Sequence, residues 1–186
     1  MLRRAREKSV GLDNVCWVHG DIRSFKLSER FGLVFIPFRS FQHLLTVDDQ
    51  LSCLRCVREH LVPGGRLALD IFNPDIVAIA EWMTSKRGTL QSHARQREAA
   101  MRWEIRSYAL ARQEVATTFL DEVLSDEGAV ISRTYRDFKL RYTFRYEMEH
   151  LLLRSGFEIE ALFGDCFGSA FEDLSPEMVW VARRGE

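Results

Sequence analysis

The sequence has no apolar run that approaches the roughly 18 residues needed to cross a membrane. Nor does an apolar stretch follow the basic opening of residues 1 to 6, so we predict no signal peptide. Positive and negative side chains nearly cancel, leaving a net charge of -1, so nothing calls for an anionic partner such as nucleic acid. These absences favour a cytoplasmic protein that does not contact a membrane.

Cysteine is also scarce, with four residues in a chain of 186. All four lie within apolar patterns, which suits a reducing compartment better than a disulfide framework. Cys53 and Cys56 form a Cys-x-x-Cys pair, but both fall within a predicted helix and no second pair exists. We therefore interpret them as packing residues rather than as a metal or redox site.

The first half of the chain has the pattern of an α/β domain. Its length and its 46% content of hydrophobic residues suit a single domain over residues 1–186. The apolar runs Val15–Val18 and Phe31–Pro37 lack polar alternation, which is typical of strands buried on both faces of a parallel sheet. The predicted elements are a basic helix over residues 1–9, these two strands, a helix over Val47–Leu61 capped by Thr46, and a strand over Arg66–Phe72.

A Pro-Gly-Gly turn separates that second helix from the strand that follows it. Pro63 cannot continue a helix, while Gly64 and Gly65 permit a tight reversal. The sequence therefore predicts a strand-helix-strand crossover that ends abruptly before Arg66.

The hydrophobic period changes after this unit, which predicts an insertion over residues 75–142. Residues 75–98 have mixed helical character, and from Met101 onward apolar side chains recur every second residue. We expect a helical segment followed by an antiparallel meander of three strands. The basic residues between Lys86 and Arg112 could form a nucleic-acid surface, but Glu98, Glu104 and Glu114 interrupt them, so a solvated face is the preferred interpretation.

The chain closes with a helix and two strands. Thr143 is placed to cap the helix and Gly156 to end it. Strands follow over residues 157–163 and 178–182 with no helix between them, so we expect an antiparallel pair.

Ligands of an open parallel sheet bind beyond the carboxyl ends of its strands, which directs attention to three segments. Asp21 follows the first predicted strand, where its carboxylate could accept from an exocyclic amine; taken alone, a local capping role is the more common one. His43 follows the second, where it could act as a base, orient a substrate or serve as a structural hydrogen-bonding group. Asn73 follows the third.

Several of these segments together resemble a class I S-adenosylmethionine-dependent methyltransferase of the small-molecule type. The most specific are the Pro-Gly-Gly turn and the Ser155-Gly156-Phe157 segment, and their order and spacing strengthen the match. The resemblance implies a Rossmann-like α/β sheet with an antiparallel β insertion and a C-terminal antiparallel strand pair. The insertion is similar to those that form substrate lids or dimer contacts in this family.

The resemblance also implies a cofactor, S-adenosylmethionine, and the residues that hold it. Asp21 would bind the adenine amino group, the Ile22 backbone would face the ring, and Phe38 and Arg39 would lie near the methionine portion. Methyl transfer needs mainly alignment of donor and acceptor, so no catalytic residue is assigned, and no metal is expected. The candidate substrate contacts are His43, Asn73, Tyr135, Arg136, Arg141 and Tyr142.

The sequence departs from the family at its start. The glycine-rich loop is missing, since only Gly11, Gly20 and Gly32 precede residue 60 and they form no cluster; the acidic residue that would hold the ribose hydroxyls is missing too. Gly32 also stands where the family usually has an acidic residue. We expect an N-terminally truncated fold that begins about one strand-helix-strand unit late. The alternative function is a non-catalytic or remnant module that acts through dimerisation, by the β insertion or by an exposed sheet edge.

Overall fold

The computed structural model describes residues 2–84, 90–96 and 99–185, and gives side chains for 2–84 and 101–185. The described strands form two four-stranded sheets. The helices are α1 (Leu2–Lys8), α2 (Val47–His60), α3 (Ile76–Thr84) and α4 (Arg145–Arg154). The strands are β1 (Phe31–Ile36), β2 (Leu61–Phe72), β3 (Leu90–Gln96), β4 (Ala99–Ala109), β5 (Glu114–Leu124), β6 (Val130–Arg141), β7 (Phe157–Phe163) and β8 (Glu177–Arg184).

The first sheet has the strand order β1-β2-β8-β7. β1 and β2 are parallel and α2 connects them, whereas β8 is antiparallel to both β2 and β7. The α/β fold with a crossover unit and a closing antiparallel pair, predicted from the sequence, is thereby confirmed.

A local signal explains where α2 begins, but β2 starts at Leu61 rather than at the predicted Arg66, so the Pro-Gly-Gly segment lies within the strand. The Thr46 hydroxyl accepts a hydrogen bond from the Asp49 backbone N–H at 3.1 Å, which caps the helix as predicted. After the helix, Gly64 adopts a left-handed φ of 73°. Gly65 has no room for a side chain, since an added Cβ would lie 2.9 Å from the Val62 carbonyl oxygen and 3.0 Å from that of Phe31. The Pro-Gly-Gly turn therefore needs both glycines, each for a different reason.

The core lies between this sheet and the helices α2 and α4. Cys53, at the centre of α2, is fully buried there, and burial raises the pKa of its thiol to about 12. Gly156 ends α4 with a left-handed φ of 79° and leads directly into β7. The largest fully buried apolar side chains are Trp180, Phe41, Phe157, Leu54, Leu61, Leu67, Ile71, Met148, Leu152 and Met178.

The strand predicted over Val15–Val18 is wrong. This segment has no regular structure, and Trp17 and Val18 are exposed. A strand needs a neighbour to complete its backbone hydrogen bonds, and in the part of the chain that the structure describes β1 pairs with β2 only. Four apolar residues in a row do not supply that neighbour.

The insertion differs from its prediction in two respects. Among the described residues of 75–98, α3 is the only helix, and Leu90–Gln96 forms β3, so the sheet has four strands in the order β3-β4-β5-β6 instead of three. Because β3 is mostly polar, its sequence shows no clear alternation of apolar and polar side chains. Part of the basic segment noted in the sequence lies outside the described residues, namely Lys86, Arg87 and Arg97.

The cap predicted at Thr143 is also wrong. α4 begins one residue later, with Phe144 at the N-cap and no side-chain hydrogen bond there. Thr143 is instead fully buried, and within the described part of the chain its hydroxyl has no partner.

Candidate functional site

A cavity of about 1170 Å³ separates the carboxyl ends of β1 and β2 from one face of the insertion sheet. The short 3₁₀ helix Ser40–His43 packs between β2 and β6 and joins the two walls. Segments 72–77 and 173–176 complete the lining. The cavity lies where ligands bind in open α/β sheets.

The insertion wall of the cavity carries charged side chains on one strand and mostly apolar side chains on the next two, with Thr117 and Arg136 among them. Period-two alternation turns Glu104, Arg106 and Tyr108 of β4 toward the cavity. Their partners in register on β5 are Phe119, Thr117 and Val115, and these pair in turn with Arg136, Phe138 and Leu140 on β6. The rings of Phe119 and Phe138 lie 5.2 Å apart between centroids, and His43 approaches Phe138 at 6.1 Å.

Two charged side chains share the polar strip of β4. The Arg106 Nε–H donates to the Glu104 Oε1 at 2.6 Å, and Glu104 is only 8% exposed. Burial lowers the pKa of Arg106, but its hydrogen bonds to Glu104 and Tyr108 outweigh that effect and raise the pKa overall. The guanidinium therefore stays charged, and Glu104 keeps lone pairs for a further donor in the cavity.

The loop after β1 carries backbone strain. Phe38 and Arg39 both have a φ of 59°, in the left-handed region that non-glycine residues rarely adopt. The Arg39 backbone N–H donates to the Asp70 carboxylate at 3.0 Å, and its guanidinium donates to Glu177 at 2.9 Å. These bonds hold the loop, while the Phe38 side chain is 91% exposed at the cavity.

Asn73 connects the end of β2 to the loop that precedes β8. Its side-chain amide donates to the Ser175 carbonyl at 2.9 Å, and its backbone N–H donates to the Pro176 carbonyl at 3.0 Å. These bonds hold residues 173–176 against the cavity, where Leu174 is almost wholly exposed.

Six of the ten residues predicted for the site line this cavity, and four do not. Tyr135 lies on the opposite face of the insertion sheet, because it stands one residue from Arg136 in a strand. The Arg141 guanidinium bonds instead to Gln113 and to Glu147, at 3.3 and 2.8 Å. The six are Phe38, Arg39, His43, Asn73, Arg136 and Tyr142; Asp21 and Ile22 are the other two outside it.

Asp21 lies in the loop before β1, where Arg23 holds its carboxylate. The Arg23 guanidinium donates to both Asp21 oxygens and also to Asp49 at 2.7 Å. The side-chain hydrogen bond from Arg23 is the main cause that lowers the pKa of Asp21 to about 2, so the group is ionised at neutral pH. Within the described residues no hydrogen bond occupies the Ile22 backbone N–H, which leaves a donor beside this carboxylate.

Sequence reasoning missed most of the insertion wall. The alternation in β4 and β5 was visible, but the sequence does not say which face of a sheet meets the cavity. The missed lining residues of the insertion wall are Glu104, Arg106, Tyr108, Val115, Thr117, Phe119, Phe138 and Leu140, and those elsewhere are Phe72, Pro74, Asp75, Ile76, Val77, Ile79, Asp173, Leu174, Ser175 and Pro176.

No family sequence model matches this chain, and no curated protein matches it in sequence. Solved structures do match. The CcbJ methyltransferase from Streptomyces caelestis is 25% identical with a TM-score of 0.83, and the match covers 100% of this chain and 71% of CcbJ.

Two further matches are sugar methyltransferases. CalS10, an amino pentose methyltransferase from Micromonospora echinaspora solved with S-adenosylmethionine, is 19% identical with a TM-score of 0.71, over 98% of this chain and 70% of its own. The sugar N-methyltransferase KedS8 from Streptoalloteichus is 16% identical with a TM-score of 0.69, and the match covers 100% of this chain and 67% of KedS8. The chain therefore has the class I S-adenosylmethionine-dependent methyltransferase fold, as its sequence predicted.

Proposed function

We propose that this class I methyltransferase fold transfers a methyl group from S-adenosylmethionine to the amine of a small, sugar-like acceptor. The amphipathic insertion wall is the observation that carries the proposal. Phe119 and Phe138 offer aromatic surface, with their rings tilted by 53° to each other, and Glu104 and Arg106 offer charged hydrogen-bonding groups beside it. A sugar ring has the matching division between a C–H face and polar substituents.

Glu104 is the group that selects an amine in this proposal. It is nearly buried and ionic, and Arg106 occupies only part of its hydrogen-bonding capacity. A charged acceptor in such a place discriminates strongly, because leaving it without a partner costs more than an ordinary hydrogen bond. CalS10, an amino pentose methyltransferase, and KedS8, a sugar N-methyltransferase, support this choice by analogy.

The described residues fit the cofactor at two places. The Asp21 carboxylate and the free Ile22 N–H match the amino group and ring nitrogen of adenine, and Arg39 beside Phe38 suits the methionine portion. S-adenosylmethionine would supply the methyl group there. His43 lines the cavity wall and would be a candidate base for the proton that the acceptor nitrogen would release on methylation.

The test uses the 186-residue chain and S-adenosylmethionine labelled in its methyl group. Free amino sugars, each paired with its N-acetylated form, serve as acceptors. We expect label to reach the free amines and not the acetylated ones, and calorimetry to show binding of S-adenosylhomocysteine. Absence of both heat and transfer would contradict the proposal.

A matched pair of variants tests the role of Glu104. Glu104→Gln should lower kcat/KM for the amino sugar about 10- to 100-fold, since a hydrogen bond to a charged group is lost, with S-adenosylhomocysteine affinity unchanged. Glu160 also pairs with an arginine, Arg66 at 2.6 Å, but outside the cavity. Glu160→Gln is the control and should keep the parent rate.

The second candidate function is a non-catalytic module that acts through self-association. The face of the insertion sheet that points away from the cavity carries the cross-strand row Trp103, Leu120 and Tyr135. Tyr135 is 61% exposed, and Leu33 and Phe35 expose a further apolar area on β1. We prefer the insertion face as the dimer surface, whether or not the chain is catalytic.

Charge placement favours a second copy on that face. On β6, Arg133 and Asp137 flank Tyr135 at equal distances along the strand. A two-fold axis along the cross-strand row would set Arg133 of each copy opposite Asp137 of the other, which is the self-complementary arrangement that a symmetric dimer requires.

Location is a further proposal. Among the described helices, none is long and apolar enough to cross a membrane. The cytoplasm, expected from the sequence, is proposed because the cysteines in the described part are free, with Cys53 and Cys56 buried. Fractionation of the producing cell would test it.

A further inference from the structure

Gln42 stands out among the buried polar side chains because it bonds to the ends of both sheets. Its Oε1 accepts from the Phe72 backbone N–H at 3.0 Å, and its Nε2 donates to the Arg141 carbonyl at 3.3 Å. Phe72 is the last residue of β2 and Arg141 the last of β6. One fully buried amide thus joins two sheets and the 3₁₀ helix that carries it.

The residue that follows each of Gln42, Phe72 and Arg141 in the sequence lines the cavity. His43 follows Gln42, Asn73 follows Phe72, and Tyr142 follows Arg141. The same amide therefore holds each of the three segments directly beside a residue that lines the cavity. A shift of either wall would break a bond in a place where water does not replace it, which costs more than the bond itself is worth.

We propose that Gln42 is the positioning residue that sets the spacing between the strand-end wall and the insertion wall of the cavity. This rests on the proposed function in so far as the cavity is the acceptor site. Gln42 does not line the cavity and acts through His43, Asn73 and Tyr142.

The chain provides a matched control in Gln50. Gln50 is the same residue type and is also fully buried, but within the described residues neither of its amide atoms has a partner. Replacing each glutamine by methionine keeps the side-chain length and removes the amide. The two variants therefore separate hydrogen bonding from space filling.

Amide hydrogen exchange measured by NMR reads the effect without cofactor or acceptor, so its result is independent of whether methyl transfer occurs. Gln42→Met should lower the protection factor of the Phe72 N–H about tenfold, with a parallel loss at the Tyr142 N–H, which donates to Gln113 beside the lost bond. Amides in the middle of α2 should keep their protection. Gln50→Met should leave Phe72 and Tyr142 at the parent values.

Gln42→Glu should make the Tyr142 protection factor depend on pH, which a residue that only fills space would not do. At acid pH the protonated carboxyl can still donate to the Arg141 carbonyl and accept from Phe72 N–H. As pH rises the carboxylate loses its donor, so the protection factor at Tyr142 should fall while that at Phe72 persists. This variant also decides the question if Gln42→Met fails to fold.

Three results would overturn the proposal. One is full protection of Phe72 in Gln42→Met, and another is an equal loss in Gln50→Met. The third is a Gln42→Glu variant whose Tyr142 protection factor does not change with pH.

Discussion

At the scale of the residue, Asp21 shows how a neighbour prepares a carboxylate for a ligand. Arg23 donates to it from both its side chain and its backbone, and is also fixed by Asp49. The carboxylate is thus ionised and oriented before any adenine amine arrives, and lone pairs remain for that amine. Arg23 itself was not among the residues predicted from the sequence.

Removing the Arg23 side chain should bring the acidity of Asp21 closer to its ordinary value. In Arg23→Met the pKa of Asp21 should rise from about 2 toward 3.8 without reaching it, because the side-chain hydrogen bonds are lost while the backbone N–H still donates. Carbon-13 NMR titration of the aspartate carboxyls measures this. The control, Arg66→Met, should raise the pKa of Glu160, which Arg66 lowers, and leave Asp21 as it is.

The Asp21–Arg23 pair also makes the free energy of unfolding depend on pH. Since the folded pKa of Asp21 is depressed, its contribution to the free energy of unfolding is present above pH 3.8 and is lost as pH falls toward 2. The parent protein should lose stability more steeply than Arg23→Met across that interval in urea titrations. Equal slopes would show that the pair does not form in solution.

At the scale of the element, the Pro-Gly-Gly segment near the start of β2 has no spare room at Gly65. Gly65→Ala would place a Cβ 2.9 Å from the Val62 oxygen and 3.0 Å from the Phe31 oxygen, both of them backbone atoms. We expect a loss of about 1–3 kcal/mol in the free energy of unfolding, as for other overpacked sites, measured by chemical denaturation.

Gly32→Ala is the control for that substitution. Gly32 lies in β1 with open space around it and no left-handed φ. Alanine there should be neutral or stabilising by up to about 1 kcal/mol. A loss at Gly32 equal to that at Gly65 would mean that crowding in the turn is not the cause.

The start of α2 offers an independent prediction at the same scale. Thr46→Ala removes the hydroxyl that accepts from the Asp49 N–H, and should lower the free energy of unfolding by about 1 kcal/mol. Thr46→Ser retains that oxygen and should recover most of the loss. Thermal or urea unfolding of the two variants measures the difference.

At the scale of the whole molecule, local signals predicted the elements better than the site. Thr46 and Pro63 mark α2 and its end because caps and breakers act within a few residues. β3 was missed since Leu90–Gln96 is mostly polar, and Val15–Val18 was predicted as a strand although strand formation depends on a distant partner. Likewise Tyr135 and Arg136 are adjacent in sequence, yet only the packing of the two sheets decides which one faces the cavity.

The proposed dimer is the property of the whole molecule that one substitution can test. In the proposed dimer, Tyr135 of one copy would stack on Tyr135 of the other. Tyr135→Glu would set two negative charges against each other at that place. We expect sedimentation to give twice the 21.7 kDa chain mass for the parent and 21.7 kDa for the variant.

Two further variants make that outcome specific. Phe167 is 97% exposed on the loop before β8 and is not part of the insertion sheet, so Phe167→Glu should leave the dimer intact. Exchanging the charges, Arg133→Asp together with Asp137→Arg, preserves the complementarity across the two-fold axis, whereas Arg133→Asp alone sets two carboxylates against each other. The double variant should therefore dimerise more tightly than the single one. Equal masses for the two would exclude this face as the interface.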